Sequence, residues 1–450
     1  MATAPPPPPN RRRWRPRLAV LGLALALVAG ACGGGDDGDA ASSTSPGGGA
    51  VDLTGVTLDV SAVWSGEEQA SFEAVLAAFE ERTGATVRYT STGDDIAAVL
   101  GPAIDAGSPP DVAMLPQPGL LRDLAAAGSL VAVEDVVGAL VDEDYAPVWR
   151  ELATVDGTLY GVWFKAANKS TVWYDPAALE TAGVTPPETW EDFQAAAQAI
   201  ADSGTVPLSV AGADGWTLTD WFENVYLRTA GTDRYDALSA HEIPWTDESV
   251  VGALTTLAEL LGNPDFVAGG PQGALQVEFP ESVAQVFGDA ASAAIVFEGD
   301  FVAGVIESDT PATLGTGADF FAFPSVGGSG PAVVGAGDVA VLLRDSPGGR
   351  ALLEFLASPE AAEVWAGRGG FASPNQAVDA SVYPDDITRR SAQALTSAET
   401  FRFDMSDLQP AAFGATVGSG EWKILQDWLA DPSDPGATAA ALESARQAAG

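Results

Sequence analysis

The chain has 450 residues, 46% of them hydrophobic and 12 of them Trp, enough to bury the cores of two or three domains and too apolar for a disordered chain. Its 62 acidic residues against 21 basic ones give a formal net charge of −41, which repels nucleic-acid phosphates and anionic membrane surfaces and excludes a nucleic-acid partner. One cysteine and one histidine exclude a disulfide framework, a cysteine- or histidine-rich metal site and a histidine-based triad, so no metal is expected.

Residues 1–31 read as an export signal. Arg11, Arg12, Arg13, Arg15 and Arg17 are the only charges there, and an apolar run from Leu18 to Ala31 follows, too short for a permanent span. Removing this leader takes the basic residues from 21 to 16 against 62 acidic ones, a charge of −46. Ala29-Gly30-Ala31-Cys32 resembles a lipobox, with Ala29 in place of the usual Leu. Cys32, the single cysteine, stands where the lipid would be attached. Residues 32–52, rich in Gly, Ser, Asp and Ala, lack apolar periodicity and are expected to form a flexible tether. The arginine cluster suits the general or the twin-arginine export route alike. The expectation is an exported protein, anchored by lipid to the outer face of the cytoplasmic membrane and touching the membrane only through that anchor.

The body alternates strands and helices. Val56 to Val63 reads as a buried strand. Phe72, Val75, Leu76 and Phe79 follow at helical spacing, with Gly84 where a C-cap glycine belongs. Thr86–Tyr89 is a strand, 95–106 a helix and Val112–Leu115 a strand. Thr189-Trp190-Glu191-Asp192 opens a helix with a capping-box pattern, closed by Ser203-Gly204. Val250–Leu261 is a helix, and Ser346-Pro347 and Ser358-Pro359 start two more. Gly335-x-Gly337-x-x-Ala340 matches a dinucleotide fingerprint superficially, but Val339-Ala340-Val341-Leu342-Leu343 continues as a strand where that motif needs a helix. No cofactor is therefore expected. The alternation implies α/β domains with mainly parallel sheets, whose ligands bind beyond the carboxyl ends of the strands. The loops to inspect are 64–69, 116–119, 165–170 and 298–301.

Several segments taken in order resemble the family-1 extracellular solute-binding proteins, the maltose-binding-like group of ABC importers. Phe72–Tyr89, Gly107–Gly119 (GSPPDVAMLPQPG), Leu159–Tyr174 (LYGVWFKAANKSTVWY), Pro187-Glu188-Thr189-Trp190, Phe297–Phe301 (FEGDF) and Ser358–Ala362 carry the likeness across nearly the whole exported chain. PQPG, KAANKS and GDVAV look like the subgroup serving α-glucosides. The resemblance implies a hinge-linked, two-lobed periplasmic-binding-protein-like fold, each lobe a mainly parallel sheet flanked by helices. The first lobe would comprise 53–164 and 325–370, the second 165–324 and 371–450. The crossings would fall at Leu159–Lys165, Phe320–Pro324 and Gly369–Ser373. It further implies a monomer that captures a sugar or oligosaccharide between its lobes and delivers it to the transmembrane subunits of an ABC permease.

Sugar sites combine flat apolar faces for C–H surfaces with planar polar groups for hydroxyls. Trp64, Glu67 and Gln117 follow strands at the expected crevice. Lys165 and Asn168 lie in a segment holding two of the chain's three lysines, where the family carries a sugar-contacting acid aligned with Asn168. Trp216 and Trp221 lie near the family's second-lobe aromatic contact. Glu298 and Asp300 flank Gly299 at a strand end, and Asp338 and Asp404 complete the candidates. A secreted carbohydrate-active enzyme, using the Glu298 and Asp300 carboxylates as acid and base, and a sensor or adhesion lipoprotein are the competing functions on the same fold; the residue pattern favours a protein without catalytic residues.

Overall fold

The computed structural model describes residues 51–450. The expected export signal, Cys32 and the tether up to residue 50 lie outside the described residues. Among the described residues no helix is long and apolar enough to cross a membrane.

The first strand–helix–strand unit forms as its pattern dictates. Strand β1 (Thr57–Ala62) buries Leu58, Val60 and Ala62. The helix Gly66–Thr83 buries Phe72, Val75, Leu76 and Phe79, one stripe at i, i+3, i+4 and i+7. It stops at Gly84, whose φ of 74° gives the left-handed cap and whose N–H donates to the Glu80 carbonyl. Strand β2 (Thr86–Ser91) then runs parallel to β1, and β3 (Val112–Leu115) runs parallel along its other edge.

Seven further strands complete two sheets: β4 (Gly161–Asn168), β5 (Thr171–Tyr174), β6 (Val206–Ser209), β7 (Ala293–Glu298), β8 (Asp319–Ala322), β9 (Val333–Leu342) and β10 (Phe401–Phe403). The first sheet has the order β10-β9-β3-β1-β2, with β4 also on β9. The second has the order β8-β5-β7-β6. Parallel pairs β1–β2, β1–β3, β9–β10 and β6–β7 come from strand–helix–strand units. Antiparallel pairs β3–β9 and β4–β9 arise where the chain returns to the first sheet, and β5–β7 and β5–β8 form within the second. The sequence 335–340 lies wholly within strand β9, as its β-branched continuation requires.

Each sheet has its own core, so the architecture is the expected two-lobed α/β fold. The first core gathers Leu58, Phe72, Met114, Val162, Val341 and Trp365. The second sheet is covered on both faces: Val172 and Tyr174 point into a core with Trp221, Phe222 and Trp428, while Trp173 between them points into a smaller cluster with Val283 and Ile306. The helices start on the side chains foreseen: Thr189 accepts from the Asp192 N–H, Ser346 from Gly349 and Ser358 from Ala361.

The chain changes sheet at Lys169–Ser170 and between β8 and β9, and beyond Phe403 it leaves the first sheet for helices packed in the second core. The first change falls a few residues past the expected Leu159–Lys165, because β4 runs on, buried throughout, to Asn168. The third falls well past Gly369–Ser373, because β10 returns to the first sheet.

Two glycines test this packing in opposite directions. A Cβ at Gly119, in the helix Pro118–Ala126, would lie 1.8 Å from the Gln409 carbonyl, whereas one at Gly252, exposed in the helix Glu248–Leu261, meets nothing within 4 Å. Urea denaturation should show Gly119→Ala destabilised by about 1–3 kcal/mol through overpacking. Gly252→Ala should be more stable by roughly 0.5–1 kcal/mol, because alanine loses less backbone entropy in a helix.

Candidate functional site: a cleft between the two cores

A cavity of ≈ 360 Å³ lies where the carboxyl ends of β1 and β3 face the loops of the second sheet. This is the crevice position expected of an open α/β sheet, and the volume lies within the usual range of small-ligand pockets. Its floor is the β4–β9 ladder, through Lys165, Ala167, Ala336, Gly337 and Asp338. Trp64, Glu68, Asp94 and Gln117 line it from the first lobe, and Asp214, Trp216, Glu278, Phe279, Phe301 and Trp422 from the second.

The aromatic wall belongs mainly to the second lobe. Trp216, Phe279 and Phe301 form a triangle with centroids 5.6, 6.0 and 5.3 Å apart, steeply tilted to one another, and all three are only half-buried. Trp216 opens the helix Trp216–Ala230 directly after Gly215, whose φ is 86°. A Cβ there would lie 2.8 Å from the Cβ of Trp422, so glycine lets both indoles reach the cleft together. Opposite, Trp64 lines the cleft but is 3% exposed, held edge-on between Phe72 at 4.8 Å and Trp365 at 4.9 Å. Trp221 stands elsewhere, 1% exposed and 4.5 Å from Phe297 in the second core. Five residues, about 1.4 helical turns, separate it from Trp216, and only the first residue of the helix reaches the cavity.

Two buried polar atoms in the lining have no partner: Gln117 Oε1 from the first lobe and Trp422 Nε1 from the second. One accepts and one donates, and burying either unpaired is costly.

Both lysines of the segment 165–169 are buried and reach the lining. Lys165 donates to Glu68 and stands 5.2–5.7 Å from the rings of Trp64, Phe301 and Trp365. Burial alone would lower its ammonium, but the carboxylates of Glu68, Asp338 and Asp300 outweigh this and raise it. Lys169 donates to Asp220 at 3.0 Å and to Asp404 at 2.6 Å, with Trp216 5.3 Å from its ammonium. Burial opposes its charge too, and Asp220, Asp404 and Asp407 carry it well above the ordinary lysine value.

The carboxyls beside them divide. Burial would raise Asp404, but the Lys169 charge and the hydrogen bonds from Asp220, Lys169 and the Asp407 N–H hold it well below the ordinary range. Asp220 is pushed up to about 8 by burial, in spite of Lys169. Asp300 and Asp338 are pushed up to about 7, also by burial, with Lys165 opposing. Glu298 rises well above the carboxylate range through burial and its neighbour Asp220. Asp214, half-buried at the cleft wall, is pushed up to about 6 by burial and accepts the Phe279 N–H at 2.6 Å.

Of the sequence candidates, Trp64, Gln117, Lys165, Trp216 and Asp338 meet at this cleft. Glu67 does not: it binds Arg368 on the surface, and the next residue, 100° around the helix, faces inward instead. Asn168 accepts the Ser170 N–H and shapes the β4–β5 turn. Glu298, Asp300 and Asp404 lie beneath the lining, each buried. Glu68 and Phe301 were within the loops singled out from the sequence, one position from a named candidate. Lys169 was in view as part of the lysine segment. Asp214, Glu278, Phe279 and Trp422 carried no signal, since each reaches the cleft from a helix start or a chain segment far from a strand end.

The profile of the bacterial extracellular solute-binding proteins matches residues 64–363. The osmoprotective compounds-binding protein GgtB of Synechocystis sp. is 37% identical over 374 residues, 82% of this chain and 87% of that protein. The alpha-glucosides-binding periplasmic protein AglE of Rhizobium meliloti is 36% identical over 398 residues, 85% of each. Among solved structures, the bacterial solute receptor AcbH, described as preferring β-D-galactopyranose exclusively, superposes with a TM-score of 0.77 at 20% identity, covering 87% of this chain and 98% of that one; at that identity the likeness concerns the fold.

The raised carboxyls set the pH dependence of stability. Asp220, at about 8, and Asp300 and Asp338, at about 7, bind their protons more tightly folded than unfolded, where an aspartate titrates near ~3.9. Their stabilisation is complete below that unfolded value and is lost as pH rises through 7–8. Asp404 acts in the opposite sense, and only on the acid side of ~3.9. Thermal scans at fixed ionic strength should therefore give a higher Tm near about pH 5 than near about pH 8.5, and Asp338→Asn should flatten part of that slope. A Tm that rises across the interval contradicts this distribution of protons.

Proposed function

The chain belongs to the bacterial extracellular solute-binding proteins, and on that premise we propose that it captures a small sugar of the α-glucoside kind between its lobes and delivers it to the membrane subunits of an ABC importer. The observation that carries this is a cleft walled by Trp216, Phe279 and Phe301 whose lining residues Gln117 and Trp422 each hold a buried polar atom, an acceptor and a donor, without a partner. A hydroxyl-rimmed ring with apolar faces satisfies all of these at once. The hydroxyls bridge the unpaired acceptor and donor, and the C–H face removes itself from water against the half-buried rings. The name of one relative, for alpha-glucosides, supports this class of solute, and the other is named for osmoprotective compounds.

In this reading Trp64 supports the ligand from the first lobe and Trp216 from the second, while Trp221 serves the core. Gln117, Glu68 and Asp338 receive hydroxyls. The lobes comprise 53–168 with 333–403 and 169–332 with 404–450, following the two cores. The ligand leaves chemically unchanged: the Glu298 and Asp300 carboxyls, the acid/base candidates, lie beneath the lining and not astride the cavity. Cys32 carries the lipid that holds the protein at the outer face of the membrane, and residues 33–52 give it reach.

A thermal-shift panel of neutral mono- and oligosaccharides tests the ligand class. A sugar at a hundred times its Kd should add roughly 2.7 kcal/mol of stability, and mass spectrometry should recover it intact. A shift with some other polar solute and with no sugar in the panel overturns the reading.

Tryptophan variants separate site from core. Trp216→Ala should weaken binding by roughly 10- to 1,000-fold while leaving the ligand-free protein's stability nearly unchanged. Trp221→Ala should instead cost about 3–5 kcal/mol of folding stability with or without ligand. Equal behaviour of the two variants contradicts the assignment.

A further inference from the structure

The three passages between the sheets meet at one residue. Lys169 is the first residue beyond β4, and its backbone N–H donates to the Val334 carbonyl at 2.9 Å, at the start of β9. Its ammonium donates to Asp404, the first residue beyond β10, and to Asp220 on the helix Trp216–Ala230. Its carbonyl accepts from Asn224 Nδ2 of the same helix at 2.8 Å. Asp404 closes the ring, its N–H donating to the Gly335 carbonyl at 2.8 Å. The next residue, Ser170, accepts the Phe323 N–H on its carbonyl and the Val334 N–H on Oγ, at 2.8 and 2.9 Å. Every segment that must bend when the lobes move is thus tied to this dipeptide.

The same ammonium reaches the cleft lining and stands 5.3 Å from the Trp216 ring. We infer that Lys169 is a positioning residue of the hinge: held between Asp220 and Asp404, it fixes the closed angle of the lobes and couples that angle to the face of Trp216 on which a ligand stacks. The inference rests on the solute-capture reading for its ligand arm, but its geometry is independent of which solute is bound. Two features distinguish this role from plain core packing. A lysine buried only for packing would need one partner at most, whereas this one's ammonium joins the helix Trp216–Ala230 to the residue beyond β10 and its backbone N–H holds Val334 of the first lobe. And a buried ion pair gives little net stability over an apolar pair, so its worth lies in the arrangement it specifies.

Single substitution leaves an unpaired buried charge, so the decisive variant is the double one, Lys169→Met with Asp404→Asn. Lys169→Gln with Asp404→Asn, which keeps a hydrogen-bond donor at residue 169 without a buried charge, serves if that double variant does not fold. Small-angle scattering and stopped-flow binding with sucrose, trehalose and maltose, on the whole exported chain, give the readout. The parent should contract on binding. The variant should contract less and release sugar roughly tenfold faster at an unchanged association rate, because the closed state is less populated. A lower Tm with contraction and release rate unaltered means a merely structural role and overturns the inference. Should none of the three sugars bind the parent, the ligand reading fails on its own. The inference is then decided by the ligand-free proteins: a wider spread of interlobe distances in the variant supports it, and an unchanged spread refutes it.

Discussion

The antiparallel pairing of β4 with β9 is the constraint on which the rest of the molecule depends. The two strands share seven register positions, from Gly335 opposite Asn168 to Val341 opposite Gly161, with an irregularity at Asp338 and Val339. Both continue toward the second lobe, so one ladder is at once an edge of the first sheet, the floor of the cleft and the root of two hinge passages. Local irregularity in a ladder re-aims side chains, and here it falls beside Asp338, which faces Lys165 from the neighbouring strand. A cleft floor made of backbone pairing is rigid, which lets the walls move while the polar groups at the bottom keep their places.

The walls divide the chemistry between the lobes. The second lobe supplies most of the exposed ring surface, the first lobe a buried acceptor, and the two lysines tie each wall to the floor. This division makes binding depend on closure: neither lobe alone offers both the apolar faces and the full set of polar partners. A ligand that bridges them shifts the open–closed balance by its differential contacts, the general basis of hinge closure around small solutes.

Much of this was legible from the sequence for identifiable reasons. Apolar spacing in residues 72–79 and the Gly84 cap specify a helix because burial and backbone conformation agree there. The strand reading of 335–343 followed from β-branching alone. Loops after strands gave Trp64 and Gln117, because sheet topology puts carboxyl ends at the crevice, whereas Lys165, expected in such a loop, reaches the cleft from within β4. What was not legible depends on rotation or on distance along the chain. Glu67 and Glu68 differ by a turn of 100° that their common chemistry conceals. Trp216 and Trp221 look alike in sequence, and only the axis of their helix decides which one meets the cavity. Trp422 reaches the cleft from the helix Gly420–Ala430, far from any strand end. The first crossing lies later than expected because the fully buried β4 shows no alternation to mark where it leaves the sheet, and the third because the short β10 returns to the first sheet.

The buried acids around Lys169 run against what stability alone favours. Asp220, Glu223, Glu298, Asp404, Asp407 and Glu421 are all buried around Lys169 or its partners Asp220 and Asp404, and only Asp404 is held below the ordinary carboxylate range; burial raises the others. These acids remain hydrogen-bonding groups, as where Glu223 accepts from the N–H groups of Met405 and Ser406 and from the Tyr235 hydroxyl. Apolar side chains of the same size would pack as densely and spare the desolvation of a charged pair. They would not, however, fix where the segment beyond β10 meets the helix Trp216–Ala230, since apolar contacts are indifferent to small slides whereas charged hydrogen bonds are directional. Local rules are broken here and kept almost everywhere else in the chain, which is the pattern expected where position matters more than stability. The polar knot lies between the hinge passages and the aromatic wall, and it holds in register the two parts that a closing cleft must bring together.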